Sequence, residues 1–259
     1  MNKDIKIMAI ETSGRLGSVA LALGPQLLVE QAFTSELQHA AQLLPTMETL
    51  CRQQNWQPCD IEHLYISAGP GSFTGVRIAI TVAKTIAYAQ QTKIVAVPSI
   101  EPQALNADLA IQNENLPIKH LAVVLEAGLG QIFTAIFEKT PSRTPPGSFL
   151  PEFRVVTEQT RMNPDQLLAA TSRPLYLLGQ GLSYHASELS GDGIIWLDQK
   201  YWQPRAANIH RCGWLRAHAG LFADPDQLVP IYLRQPEAIE KWEKLHGKND
   251  DNLSIKRML

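Results

Sequence analysis

The sequence has few cysteines, and none is spaced as a disulfide framework or a zinc site requires. Cys51, Cys59 and Cys212 are an odd number for pairing, and no C-x-x-C pair occurs among the 259 residues. Disulfide scaffolds and thiolate zinc sites depend on paired or closely spaced cysteines. We therefore expect reduced and mostly packed cysteines.

Long apolar runs and a strong net charge are also missing. No run approaches the roughly 18 apolar residues of a membrane-spanning helix, and the first residues, MNKDIKIMAIETS, lack the apolar region of a secretory signal. The formal charge is −2, whereas proteins that bind nucleic acid alone usually carry a basic excess. These features predict a soluble cytoplasmic protein that contacts RNA only with the help of a partner.

The common catalytic motifs are absent as well. The histidines include no H-x-x-x-H pair for a metal, and Ser72 does not lie in the G-x-S-x-G pattern of a serine hydrolase. A P-loop requires Lys after its last glycine, but Val76 and Arg77 follow Gly75. The sequence predicts neither a metal site nor catalytic residues.

Apolar periodicity in the first hundred residues predicts the order β-β-β-α-β-α-β, a mixed sheet with helices against it. The strand patterns lie at residues 5–11, 18–23, 27–33, 63–69 and 93–99. The helical patterns lie at residues 37–54 and 76–90.

The first helical pattern carries its own start and break signals. The hydroxyls of Thr34 and Ser35, followed by Glu36, predict the N-terminal cap. Pro45 lies inside the pattern, so we expect it to kink the helix or to separate its first turns.

The strand-turn-strand pattern begins again at His120. Strands at 121–127 and 131–138 flank a turn with two glycines, a further strand precedes the glycines of 179–181, and a helix is predicted at about 206–222. The stretch 139–153 is rich in turn residues and predicts an exposed connection. We expect an N-terminal lobe of residues 1–105 on which helix 206–222 packs, a C-terminal lobe of residues 106–205, and a polar tail of residues 235–259.

A glycine-rich loop at residues 69–75, with sequence GPGSFTG, joins a predicted strand to a predicted helix. Free amides and the helix dipole favour an anion there, although the ribose-binding acid of a dinucleotide site is absent. The alternative is a structural turn, in which glycine supplies positive φ and Ser72 or Thr74 caps the helix. An anion or a nucleotide would contact Thr12, Ser13, Gly69, Gly71, Ser72, Thr74 and Gly75.

Two glutamates lie at the ends of the predicted hairpins. Glu11 occupies a position where an aspartate would normally hold a hydrated cation, and its extra methylene shifts the carboxylate by roughly a bond length. Nucleotide hydrolysis is therefore disfavoured. Glu126 occupies the corresponding point of the second hairpin, and we interpret it as an exposed single acid without an acid–base partner.

Three motifs together resemble the TsaB (YeaZ) family: IETSGRLGSVAL at 10–21, HAAQLLPTMETL at 39–50 and SAGPGSFTGVRIAI at 67–80. Weaker similarity extends the resemblance to about residues 5–235. It implies a two-lobed α/β fold of the actin/Hsp70/sugar-kinase type (ASKHA), with a mixed sheet and helices in each lobe. Family motifs that commonly read D-T-S and D-A-R are Glu11-Thr12-Ser13 and Glu126-Ala127-Gly128 here, which weakens a nucleotide site.

The resemblance implies a non-catalytic subunit that pairs with the tRNA threonylcarbamoyltransferase TsaD. With TsaD and the ATPase TsaE, such a subunit supports threonylcarbamoyladenosine formation next to the tRNA anticodon. The implied partners are a TsaD-like protein and a TsaE-like ATPase, with a homodimer when the chain is alone and tRNA only through the complex. No cofactor is implied for this chain, and ATP and Mg²⁺ enter through its partners.

The two helices of the first lobe have apolar sides wider than a single core-facing stripe requires. By the resemblance, these helices pack against TsaD or a second copy. The predicted interface residues are His39, Ala40, Leu43, Leu44, Met47, Leu50, Arg77, Ala79, Val82, Ala83 and Ile86. The alternatives are an ATPase, a phosphotransferase or a peptidase-like enzyme of the same fold, or a homodimer that acts alone.

Overall fold

A computed structural model describes residues 4–140 and 153–232, which form two lobes, each with a five-stranded mixed sheet. The first sheet consists of β1 (Lys6–Glu11), β2 (Ser18–Leu23), β3 (Gln26–Ala32), β4 (His63–Ser67) and β5 (Lys93–Val97). Its strand order is β3-β2-β1-β4-β5, with β1 antiparallel to β2 and parallel to β4. The element order predicted for this lobe is confirmed.

Helices cover both faces of the first sheet. The helices α1 (His39–Gln53) and α2 (Phe73–Gln90) pack on one face and α6 (Ala206–His218) on the other. Because side chains alternate along a strand, Met8 and Ile10 of β1 join the core beneath α1 and α2, while Ile7 and Ala9 join the core beneath α6. None of the helices in the described ranges is long and apolar enough to span a membrane.

The second sheet repeats the strand order of the first. It contains β6 (His120–Gly128), β7 (Gln131–Lys139), β8 (Phe153–Met162), β9 (Leu175–Leu178) and β10 (Ile194–Trp196), arranged β8-β7-β6-β9-β10. The remaining helices, all short, are α3 (Ile100–Ala104), α4 (Asn106–Glu114) and α5 (Pro164–Ala169). The predicted fold class, two lobes that each combine a mixed sheet with helices, is confirmed. Most of the predicted connection at 139–153 and the polar tail at 235–259 lie outside the described residues.

The start of α1 differs from the prediction. Leu37 adopts a left-handed φ of 58°, so the helix begins only at His39, and no side chain caps it. The backbone N–H of Thr34 instead donates to Gln42 Oε1 at 2.7 Å. The helix continues through Pro45 rather than dividing there. Because Pro45 has no N–H, the carbonyl of Ala41, four residues before it, lacks its donor within the helix. Ala41 is exposed to water.

Candidate functional site

The loop of residues 69–75 is a structural turn whose amides already serve the fold. The side chain of Ser72 accepts a hydrogen bond from the backbone N–H of Gly75 at 3.2 Å and caps α2. The N–H of Ser72 donates in turn to the carbonyl of Ser13 at 2.7 Å. The N–H groups of Ser72 and Gly75, which an anion could have used, therefore donate within the chain. Of the two hydroxyl residues predicted as the cap, Ser72 caps the helix.

Glycine is needed at two positions of this loop for different reasons. Gly69 has a φ of 100°, and its N–H donates to Ser99 Oγ at 3.1 Å. A Cβ atom on Gly75 would lie 1.9 Å from the carbonyl oxygen of Thr12, so only glycine permits α2 to begin this close to the β1–β2 hairpin. The hydroxyl of Thr12 donates to the carbonyl of Gly75 at 2.8 Å, which ties the hairpin to the helix.

Glu11 is fully buried at the end of β1. Its Oε1 atom accepts hydrogen bonds from the N–H of Ser13 and, at 3.2 Å, from the hydroxyl of Ser67. Its Oε2 atom has no hydrogen-bond partner among the described residues. Burial raises the pKa of Glu11 from 4.5 to about 7, and the hydrogen bonds from Ser13 and Ser67 oppose that rise. The carboxyl group therefore faces the interior of the lobe and carries much less than a full charge at neutral pH.

Glu126, in contrast to the prediction, has a titratable partner. Its Oε2 atom lies 3.0 Å from Nε2 of the buried His185, and Nδ1 of His185 lies 2.7 Å from Oε2 of Glu188. The backbone N–H of Gly128 donates to the other carboxylate oxygen of Glu126 at 2.7 Å. The interpretation as a single acid is wrong, because the fold brings His185 to it from 59 residues further along the chain.

A cleft with a volume of about 790 Å³ separates the two lobes, and part of the predicted anion site lies in it. Ser13, Gly71 and Ser72 line the cleft on one side, and Glu126 lines it on the other. The remaining predicted residues do not line it: Thr12, Gly69, Thr74 and Gly75. The structure thus brings only part of the predicted set to one open surface.

Carboxylates already neutralise the cations in this cleft. Among the described residues, those cations are Arg15 and Lys200. The Nε–H of Arg15 donates to Glu36 at 2.8 Å, and Nζ of Lys200 lies 2.7 Å from Glu114. These pairs reduce the positive charge that the cleft offers to a polyanionic ligand. Over residues 4–140 and 153–232, no group of three His, Cys, Asp or Glu side chains is placed to hold a metal ion.

Six predicted interface residues lie in the core of the first lobe. Their side chains are between 0% and 8% exposed, and they are His39, Leu43, Met47, Leu50, Ala79 and Ala83. On α1 the residues at 43, 47 and 50 recur at the helical period and pack toward the sheet. This part of the prediction is corrected, since these side chains pack inside the lobe and offer a partner little or no surface.

His39 has a structural role at the start of α1. Its Nε2 atom lies 3.0 Å from the carbonyl oxygen of Gly14, and its ring packs beside Phe33. Burial lowers the pKa of His39 below its ordinary value.

The other five predicted interface residues remain accessible. Ala40, Leu44 and Arg77 are exposed, and Val82 and Ile86 are half-buried. Leu44 is 58% exposed, so most of its apolar side chain is uncovered. We call these five residues the α1/α2 face. Their role as an interface stays a prediction.

The side chain of Arg77 is held in place by aromatic neighbours. The guanidinium carbon lies 3.7 Å from the centroid of the Phe73 ring, and Nε donates to the hydroxyl of Tyr232 at 2.7 Å. Cation–π stacking of this kind fixes a long side chain at the surface. Sequence reasoning missed this cluster, because Tyr232 is 155 residues away from Arg77 and no local pattern connects them.

The middle of the chain matches a protein-family model. Residues 33–144 match the family "TsaD: tRNA N6-adenosine threonylcarbamoyltransferase". The matched range includes α1, α2 and the β6–β7 hairpin.

Curated relatives match over nearly their whole length. The tRNA threonylcarbamoyladenosine biosynthesis protein TsaB of Bacillus subtilis is 28% identical over 91% of this chain and 97% of its own. The protein of the same name from Escherichia coli is 23% identical over 94% of this chain and 100% of its own.

A solved structure has the same fold. YeaZ from Pseudomonas aeruginosa superposes with a TM-score of 0.71 at 21% identity, over 88% of this chain and 100% of its own. The TsaB relatives are similar to this chain over more than nine-tenths of its length, the TsaD-family model matches its middle, and the YeaZ structure shares its fold.

Proposed function

We propose that this chain is a non-catalytic subunit that pairs with a TsaD-like protein and thereby supports threonylcarbamoyladenosine formation in tRNA. The observation that carries the proposal is the similarity to TsaB-named proteins over more than nine-tenths of the chain. In this assignment ATP and Mg²⁺ act through the TsaD-like partner and a TsaE-like ATPase, and tRNA is contacted only in the complex.

The chemistry of the cleft supports a non-catalytic role. The carboxyl group of Glu11 is buried against Ser13 and Ser67 and does not line the cleft. A half-protonated, enclosed carboxyl group is a poor ligand for the hydrated cation of a nucleotide. The cations at the cleft are paired with Glu36 and Glu114, so little unpaired positive charge is available there to attract a phosphate.

The α1/α2 face supports the proposed pairing. Leu44 is largely exposed on α1 and lines one groove together with Ile86 of α2, and Val82 of α2 is half-buried. Apolar side chains at the centre of an interface usually contribute most of the binding energy. Burying a charge there without a partner is costly, and therefore a single glutamate at Leu44 is a sharp test.

The test is co-purification of the full chain with the TsaD-like protein of the same organism. We expect Leu44→Glu to weaken the complex by at least about tenfold in Kd, a loss of about 1.4 kcal/mol. Val156→Glu is the matched control, since Val156 is also an exposed apolar residue but lies on β8 of the other lobe. If the folded Leu44→Glu variant binds the TsaD-like protein as tightly as the parent does, the α1/α2 face is not the interface.

Two further measurements separate the proposed subunit from an enzyme of the same fold. A calorimetric titration of the isolated chain with ATP and Mg²⁺ should show no tight binding and no turnover. A reconstituted modification reaction should lose threonylcarbamoyladenosine when this chain is omitted. Turnover by the isolated chain would instead favour an ATPase or a phosphotransferase.

A further inference from the structure

The turn between β1 and β2, residues 12–17, contacts the start of each helix of the α1/α2 face. The carbonyl of Ser13 accepts a hydrogen bond from the N–H of Ser72, the cap of α2, at 2.7 Å. The carbonyl of Arg15 accepts from the N–H of Leu37 at 2.8 Å, two residues before α1 begins. The position of this turn therefore affects where both helices start.

The second lobe holds the same turn through Gln180. The Oε1 atom of Gln180 accepts from the backbone N–H of Arg15 at 3.2 Å, and its Nε2 atom donates to Oε1 of Gln203. Both ends of this one amide are thus in use, and one of them reaches across the cleft, which Arg15 and Gln180 both line. The ring of Pro204 adds a packing contact, because a Cβ atom on Gly14 would lie 2.5 Å from its Cγ atom.

The backbone around Gln180 is itself fixed in place. Gly179 has a φ of 120°, and a Cβ atom there would lie 2.3 Å from the carbonyl oxygen of Val124 on β6. A Cβ atom on Gly181 would lie 2.6 Å from the carbonyl carbon of Leu125. Glycine on each side therefore permits this segment to lie directly against β6. Gln180 thus extends toward the first lobe from a firmly packed base.

We propose that Gln180 is a positioning residue for the α1/α2 face. It holds the β1–β2 turn from the second lobe, and the turn holds the starts of α1 and α2. Because packed elements and hydrogen bonds form one continuous chain here, a rotation of one lobe relative to the other shifts both helix starts together. The inference rests on the proposed function only in taking the α1/α2 face as the surface that meets the TsaD-like partner.

Amide hydrogen exchange in the full chain, followed by NMR, tests this link without any partner. Gln180→Ala removes both hydrogen bonds of the side chain. We expect the amides of Leu37 and Ser72 to exchange roughly fivefold faster, the factor that one net hydrogen bond represents, while the amides of β6 and β7 keep their rates. Gln180→Glu keeps an oxygen for the N–H of Arg15, so it should restore both rates to within about twofold of the parent.

The matched control is Gln199→Ala, which removes another glutamine side chain that lines the cleft. Gln199 is exposed, and its loss should leave the exchange rates at Leu37 and Ser72 as they are in the parent. Four results would overturn the proposal: unchanged rates in Gln180→Ala, an equal rise at β6 and β7, an equal effect of Gln199→Ala, or no rescue by Gln180→Glu.

Binding to the TsaD-like protein completes the test. A pre-organised surface binds at lower cost, so we expect Gln180→Ala to raise the Kd roughly fivefold and Gln180→Glu to restore it. If Leu44→Glu weakens the complex but Gln180→Ala does not, the link from Gln180 to this face is wrong while the proposed function stands. If neither substitution changes the Kd, the face is not the interface, and the exchange rates alone decide whether Gln180 positions the two helix starts.

Discussion

At the scale of single residues, Glu11 combines complete burial with incomplete hydrogen bonding. One carboxylate oxygen accepts from Ser13 and Ser67, while the other has no partner among the described residues. Removing a carboxylate from water disfavours its charged form, and the raised pKa of about 7 follows from that cost. The group therefore links the stability of the first lobe to pH near neutrality.

We predict that Glu11 lowers stability as pH rises. Its pKa is raised in the folded state, from 4.5 to about 7, so its contribution is fully present below pH 4.5 and is lost as pH rises through 7. Glu11→Gln cannot ionise. In urea unfolding, the free energy of the variant relative to the parent should rise by roughly 2 kcal/mol between pH 5.5 and pH 8.

The control for this measurement is Glu48→Gln, a change of the same type at an exposed position on α1. It should leave the difference in unfolding free energy between the two pH values as it is in the parent. The explanation fails if the parent and Glu11→Gln lose equal stability from pH 5.5 to pH 8.

At the scale of elements, α1 shows why a broad apolar pattern was an ambiguous signal. Leu43 and Leu44 are neighbours in sequence, yet successive helical residues are turned by about 100°. Leu43 is 1% exposed, whereas Leu44 is 58% exposed. The pattern identified the helix, but it could not tell which apolar residues face the core.

We predict opposite stability effects for the two leucines. Leu43→Ala should cost about 2–5 kcal/mol of unfolding free energy, because it leaves a cavity in the packed core. Leu44→Ala should change stability by less than about 0.5 kcal/mol, since water already covers most of its surface. Denaturant unfolding of both variants measures the contrast, and equal losses at 43 and 44 would show that the described burial of α1 is wrong.

Local patterns predicted the hairpins, the helices of the first lobe and the cap at Ser72, because each depends on residues close in sequence. Contacts between distant segments were not predictable in this way. His185 reaches Glu126, and Tyr232 reaches Arg77, only through the fold. The edge strands β8 and β10 were also missed, since β8 has many exposed residues and β10 has only three residues.

At the scale of the whole molecule, the first lobe is completed by a helix that follows the second. After β5 ends at Val97, the chain forms the second sheet and then returns to the first lobe as α6. The side chain of Ser18 on β2 accepts from the N–H of Ala206, and Arg205 pairs with Glu30 of β3. The core beneath α6 includes Ile7 and Tyr65 of the first sheet and Ile209 of the helix.

We predict that the first lobe cannot fold without α6. A chain ending at residue 204 would expose a full face of the first sheet, including Ile7 and Tyr65, which are fully buried in the intact chain. Losing roughly 1.5–3 kcal/mol for each large apolar side chain soon exceeds the 5–15 kcal/mol that stabilises a typical domain. We expect circular dichroism to show reduced helix content and no cooperative melting of this lobe.

A chain that ends at Tyr232 keeps every described element and is the matched control. It should retain the melting transition of the first lobe, because the contacts of Leu228 and Ile231 with α2 and β4–α2 loop residues are preserved. If the chain ending at 204 melts cooperatively with the helix content expected for α1 and α2, the first lobe is an independent folding unit. In that case α6 only covers a lobe that is already stable. The strand β1, which packs against helices on both faces of the sheet, then needs the helices of only one face to fold.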